Sequence, residues 1–218
     1  MKTYLSIGAG PGIGIETAAQ FAQQGFRVIL SARSLDKVSA LAEGLRAQGF
    51  EAEARRVDVE DSQALVDLIR EVEQQYGALD VLHYNAAVIR NASVADQPRE
   101  TFASDLITNI GGALVAIQAA EPAMAARGAG TILLTGGGFA LHPHPDYLSI
   151  SIGKAGIRAL ALGAFEAFRA KGIHLATVTV AGFVSPGENT KAIGRLFWDV
   201  HAQPQDAWTA EEVYTPAG

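Results

Sequence analysis

The chain has 218 residues, 49% hydrophobic and 18% charged, and 17 Lys+Arg against 23 Asp+Glu leave a net charge of −6. So apolar a chain lies outside the disordered class and is long enough to bury one core, which predicts a single domain over 1–218, while the acidic balance argues against nucleic acid, whose phosphates need clustered Lys and Arg. With no Cys in the sequence, disulfides, thiolate catalysis and Cys-ligated metals are excluded, and the cytoplasm is the compartment the composition fits.

Short apolar runs bounded by Gly alternate with segments of helical period, the pattern of repeated βα units. Met1–Gly8 meets glycines too early for a signal-peptide core and reads as a strand, Thr3–Ile7. Next come Gly8-Ala9-Gly10-Pro11-Gly12-Ile13-Gly14 and a helix over Ile13–Gln24. Glycines here let the backbone approach a pyrophosphate, and the helix start offers free N–H groups to it, so Gly8, Gly10, Gly12, Ile13 and Gly14 are candidate dinucleotide contacts. The spacing is G-x-x-x-G-x-G rather than G-x-G-x-x-G.

The second strand, Arg27–Ala32, ends at Arg33, where NAD-binding chains carry an acid for the ribose hydroxyl. A guanidinium there suits a 2′-phosphate, which favours NADP(H) over NAD(H). A helix over Leu35–Gln48, with Ser34 as N-cap, leads to the strand Glu51–Val57 and to Asp58, placed either to accept from adenine or to cap a turn. Asp61 opens a helix to Tyr76, and the fourth strand is Leu79–Tyr84. Helices follow over Pro98–Ile107 and Asn109–Arg127, then the strand Thr131–Thr135, a helix Tyr147–Lys171, the strand His174–Val180, a helix Asn189–Ala202 and a last strand Glu211–Thr215. Gly25, Gly49, Gly77 and Gly172 stand as helix stops. The apolar stretch Ile110–Ala126 is broken by Gln118, Glu121 and Pro122 and falls short of a membrane span. Together these elements predict an α/β fold: a doubly wound, Rossmann-like parallel sheet of seven strands with helices on both faces.

The chain resembles the short-chain dehydrogenase/reductase family. The glycine turn fits the family's T-G-x-x-x-G-x-G with Ile7 for the threonine, Asp58-Val59 its adenine-side pair, and Asn85-Ala86-Ala87 its N-A-G, with Tyr84 and Ala87 as departures. Asn109 falls at the family's structural and catalytic asparagine, and Ala181-Gly182 at its P-G. The resemblance thus implies cofactor contacts by Asp58, Val59, Asn85, Ala86, Ala87, Gly182 and Val184, the last two beside the nicotinamide. Lys154 matches the lysine of Y-x-x-x-K, which implies a hold on the nicotinamide ribose, but Ile150 then stands at the tyrosine position and Gly137 at the serine position. The chain therefore looks like an atypical member without the proton donor and the carbonyl-polarising hydroxyl that hydride transfer needs.

Tyr147 is one substitute donor: seven residues before Lys154, it would share that residue's helix face at roughly 10 Å. His142 and His144 in the preceding loop are others, and Ser149 and Ser151 flank the vacant position. No metal site is suggested. The tail, with Trp208-Thr209 leading into the last strand, is similar to a branch of the family in which the tyrosine is often replaced. The small-residue, nearly uncharged helices 109–127 and 147–171 need burial, and the resemblance implies that they pair across a two-fold axis in a homodimer or homotetramer. Two functions stand: an NADP(H)-dependent oxidoreductase on a small carbonyl or alcohol, with Lys154, Asn109 and Tyr147 as catalytic candidates, or a non-catalytic dinucleotide-binding sensor or regulatory subunit.

Overall fold

A computed structural model describes residues 1–216, so the expected end of the domain at residue 218 lies outside the described residues. Seven strands, β1 (Thr3–Ile7), β2 (Arg27–Ala32), β3 (Ala52–Arg56), β4 (Val81–Tyr84), β5 (Gly130–Thr135), β6 (Ile173–Val180) and β7 (Glu211–Tyr214), form one sheet in the order β3-β2-β1-β4-β5-β6-β7. Every neighbouring pair is parallel, in register from Tyr4 opposite Val28 and Val81 outwards. The helices are α1 (Ile13–Gln23), α2 (Leu35–Arg46), α3 (Ser62–Tyr76), α4 (Arg99–Leu106), α5 (Gly112–Arg127), α6 (Leu148–Arg169) and α7 (Glu188–Ala202). The doubly wound fold is therefore as the sequence predicts, and element ends differ by one or two residues except at the start of α5.

Alternation along each strand divides the core. Leu5, Ile7, Leu82 and Leu134 face α3, α5 and α6; Tyr4, Val28, Val81 and Leu133 face α1, α2 and α7. Asp61 accepts from the Ala64 N–H as an N-cap, and Gly77 stops the same helix in a left-handed conformation, φ 79°. Ser34 holds the N-cap position of α2 without a side-chain bond. Arg99–Arg127 and Leu148–Arg169 are long and apolar enough to cross a membrane by length and composition; Ala113, Ala116, Ile117, Ile157 and Ala161 spend that apolar character on the sheet.

The expected break at Thr108 is absent. A π-helical turn, Ile107–Gly111, joins α4 to α5 without interruption. Its cause lies beneath it: the Tyr84 hydroxyl donates to the Thr108 carbonyl at 2.8 Å and occupies the space a Cβ on Gly112 would need. The ring wedges the helix open by one residue, and Gly112 admits it.

A buried polar chain crosses the other face. Tyr4 Oη lies 2.7 Å from His83 Nδ1, His83 Nε2 lies 2.9 Å from Thr135 Oγ1, Thr135 Oγ1 donates to Asn85 Oδ1 at 2.9 Å, and Asn85 Nδ2 donates to the Gly8 carbonyl at 2.8 Å. Because the single Thr135 proton goes to Asn85, His83 must donate from Nε2 and accept from Tyr4 at Nδ1, which fixes one neutral tautomer. Burial, then the Lys154 charge, lowers the His83 pKa to about 3. The unfolded chain takes up a proton near pH 6.5 that the folded chain refuses until about pH 3, so this group costs stability as pH falls through that window. His201, lowered to about 4, and His174 add to the same trend. Replacing His83→Gln, whose amide can still donate to Thr135, should reduce the slope of unfolding free energy between pH 6 and 4 by about one proton, or about 1.4 kcal/mol per pH unit. Chemical denaturation across that range measures it; an unchanged slope would show that His83 is not held neutral.

Candidate functional site

Strand order reverses between β1 and β4, and the loops leaving these two strands border the crevice where doubly wound sheets bind ligands. Gly8, at φ +84°, has no room for a Cβ because the Ala86 backbone fills it, and a Cβ on Gly14 would lie 3.0 Å from Ala9 Cα and 3.1 Å from Asn85 Nδ2. A Cβ on Gly10 would meet nothing within 4 Å, so the space before the turn is open. No side chain caps α1 at Gly12, which leaves the leading N–H groups at Ile13 and Gly14 without a side-chain acceptor. A cavity of about 300 Å³ lies here, lined by Gly8, Arg33, Val59, Asn85, Ala86 and Ala87 among others. Uncharged glycine backbone, an unfilled helix start and one guanidinium make a donor set that fits the phosphates and ribose of a dinucleotide.

Arg33 is exposed at the end of β2, and Arg56, unnoticed in the sequence, joins it. The parallel register sets Arg56 opposite Ala32, and its Nε donates to the Arg33 carbonyl at 3.2 Å. An adjoining cavity of about 440 Å³ shares Val57 but is lined by Asp58, Glu60 and Asp61 with Arg56 as its cation; three carboxylates and no glycine turn suit it poorly to phosphate. Asp58 Oδ1 accepts from the Glu60 N–H at 3.1 Å, so one oxygen is engaged in a local turn and the other is left over.

Asn109 is fully buried within the π-helical turn. Its Oδ1 accepts from the Val88 N–H at 2.7 Å and its Nδ2 donates to the Val88 carbonyl at 3.0 Å. Both ends of the amide thus anchor the loop after β4, whose next turn is held by a bidentate Arg90–Asp105 pair at 2.7 and 2.9 Å. Arg90 holds the Asp105 carboxyl below its usual range.

Lys154 is 7% exposed and donates from Nζ to the Thr135 carbonyl at 2.6 Å. Burial lowers its pKa to about 8, within reach of neutral pH. The lysine and the Gly136-Gly137-Gly138 turn are shaped to each other. A Cβ on Gly137 would stand 3.2 Å from Lys154 Cγ, one on Gly136 2.7 Å from Thr177 Oγ1, and one on Gly138 3.0 Å from Ala181 Cα. Ile150 is buried a turn before Lys154. Gly182 is exposed beside Pro216, and Val184 packs on the α1–α7 side of the core.

Tyr147 departs from expectation. α6 begins at Leu148, and Tyr147 is its N-cap residue at φ −133°, ψ 51°, so it does not share a helix face with Lys154. Ala92 N–H donates to the Asp146 carbonyl at 2.7 Å and Leu148 N–H to the Ala92 carbonyl at 3.3 Å, which hold Tyr147 in an extended bridge outside the helix. Ser151 Oγ fixes it by donating to the Tyr147 carbonyl at 2.7 Å. The ring stacks on Phe139 at 5.3 Å. Ser149 is fully buried and its hydroxyl makes no hydrogen bond. His144 Nδ1 accepts from the Asp146 N–H at 3.1 Å, and His142 is exposed in the same loop. His83, Thr135, Phe139 and Phe183 were invisible as site residues: a His or Thr in an apolar strand, or a Phe after glycines, carries no spacing signal that separates site from core.

Known proteins place this architecture. A family model for short chain dehydrogenase matches residues 2–193. The chain is 30% identical over 185 residues to 3-oxoacyl-(acyl-carrier-protein) reductase FabG of Staphylococcus aureus, covering 84% of this chain and 75% of that protein. It is 30% identical over 129 residues to gluconate 5-dehydrogenase of Gluconobacter oxydans, covering 59% of this chain and 50% of that one. Among solved structures, a short-chain dehydrogenase from Rhodopseudomonas palustris superposes with a TM-score of 0.91 at 25% identity over 99% of both chains. A metagenomic short-chain oxidoreductase in complex with NADP superposes with a TM-score of 0.89 at 23% identity, over 99% of this chain and 97% of that one. The glycine turn at the switch point and the lysine beneath the end of β5 thus sit in the fold of their relatives, and the chain belongs to the short-chain dehydrogenase family.

Proposed function

We propose that this protein is an NADP(H)-dependent oxidoreductase acting on a small carbonyl or alcohol, with Gly137 and Ile150 standing where the family carries its serine and tyrosine. The observation that carries this reading is the convergence of Gly8, Arg33, Asn85, Ala86 and Ala87 on one cavity at the switch point, and the structural neighbour solved with NADP supports it. In such a reaction the cofactor supplies hydride to the carbonyl carbon, the C=O π bond breaks, and the oxygen takes a proton. This chain contributes the rest: the glycine turn and α1 receive the phosphates, Arg33 with Arg56 beside it meets a 2′-phosphate, and Lys154 supplies a buried cation. Tyr147 is the strongest proton donor, because its hydroxyl has no hydrogen-bond partner among the described residues.

A second reading, a non-catalytic dinucleotide-binding protein, is favoured by Ile150 and Gly137 themselves, neither of which carries a hydroxyl. A homodimer is part of the proposal. Leu114 on α5 and Ile152 and Leu162 on α6 are 44%, 42% and 41% exposed, an apolar cost that pairing of these helices with a second copy removes. Residence in the cytoplasm is also part of it, supported by the lack of Cys.

Fluorescence titration should show that Arg33→Ala weakens NADPH binding about 10- to 100-fold, the worth of a charge-assisted bond, and leaves NADH within about twofold; equal losses for both cofactors would remove Arg33 from the 2′-phosphate. Tyr147→Phe should lower carbonyl-dependent NADPH oxidation by about 100-fold or more at unchanged NADPH affinity. Tight NADPH binding with no oxidation by any of a broad set of aldehydes and ketones would instead support the binding-only reading. Sedimentation should give a dimer at micromolar protein and a folded monomer for the Leu114→Asp/Leu162→Asp variant, whereas a monomeric wild type would sink the assembly.

A further inference from the structure

Three rings stand outside both halves of the core. Phe139 lies in the turn that follows Gly138, Tyr147 in the extended residue before α6, and Phe183 in the connection from β6 to α7, so three separate segments deliver one ring each. Phe139 and Tyr147 are stacked at 5.3 Å and 18°, Phe183 meets Phe139 edge-on at 5.6 Å and 77°, and Phe183 lies 5.7 Å from Tyr147. Phe139 and Tyr147 are half-buried, and Phe183 is 68% exposed. Rings that served only the fold would be turned into the core; these are gathered at the surface with a face open to solvent.

Their position gives the gathering a purpose. Gly138 presses the end of β5 onto Ala181 at the end of β6, and the neighbouring Gly137 lies along the Lys154 stem. The rings thus lie on segments that leave the carboxyl ends of β5 and β6, on the edge of the sheet where ligands bind, and the turn that carries Phe139 also borders the Lys154 stem. None of the three is a carboxylate, ammonium or guanidinium side chain. At their rim, His144 packs edge-on against Tyr147 at 5.3 Å, and its Nδ1 is engaged locally by the Asp146 N–H. Ring faces and edges reward another flat ring in stacked or edge-on geometry more than a puckered or linear group of the same size.

We propose that Phe139, Tyr147 and Phe183 form the substrate wall and that the substrate is an uncharged aryl carbonyl compound or the matching benzylic alcohol. This rests on the oxidoreductase reading above and narrows it to a substrate class.

The test uses benzamide and cyclohexanecarboxamide, unreactive amides of similar size that differ in the flatness of the ring, titrated by protein-observed NMR with and without NADPH. Benzamide is expected to bind about fivefold more tightly, from one or two ring contacts, and to shift the amide signals of residues 139, 147 and 183. Phe183→Ala, at an exposed position that folding does not need, and Phe139→Leu should each abolish the preference. Equal affinities, no binding of either amide, or a preference that survives both substitutions overturns the proposal. Since neither amide accepts hydride, the two readings fail separately. Aryl preference without NADPH oxidation by benzaldehyde counts against the oxidoreductase and leaves the ring site standing. NADPH oxidation by cyclohexanecarbaldehyde without aryl preference does the reverse.

Discussion

Thr135, the last residue of β5, ties the two sides of the sheet together. Its carbonyl accepts from Lys154, which arrives from the α6 side, and its hydroxyl receives from His83 and donates to Asn85, which in turn holds the Gly8 carbonyl on the other side. Each of these groups is buried or nearly so, and a buried polar group without a partner costs far more than a paired one contributes. The chain is therefore satisfied only when strand end, lysine and glycine turn stand in one relative position. That fixes two distant pieces of the candidate site, the glycine turn and the buried lysine, relative to each other.

The same strand end sets how closely Lys154 packs. The three glycines after Thr135 let β5 lie flat against β6 and let the aliphatic stem of Lys154 run over residue 137 at van der Waals distance. A side chain at 137 would push that stem back by a few tenths of an ångström. Gly137 and Lys154 thus pack as one unit, and burial, with its depressing effect on the ammonium pKa, goes with the close fit.

Most of the fold was legible because it is written in local signals. Period and glycine stops located the fourteen elements, and Asp61 and Gly77 did as caps what their side chains dictate. Arg33 and the glycine turn were legible as a pair because strand order brings together loops that the sequence already marks. What could not be read depended on contacts across the sheet. Nothing in Leu106-Ile107-Thr108-Asn109 announces that a tyrosine from β4 will push into the helix, so the sequence predicts a break where a π-helical turn forms. Spacing alone places Tyr147 in the helix, since it cannot see the Ala92 bridge that holds it out. His83 and Thr135 look like ordinary strand residues until the register of β4 and β5 sets them side by side.

The Tyr84 wedge also orders the mutational paths open to this lineage. With the tyrosine in place, any side chain at 112 collides with its hydroxyl, so Gly112 can change only after Tyr84 has become smaller. A smaller residue arriving first at 84 leaves the Thr108 carbonyl without its donor. The two positions are therefore locked in sequence, one permissive and one dependent, and the register in which Asn109 meets Val88 is carried along with whichever state the pair adopts.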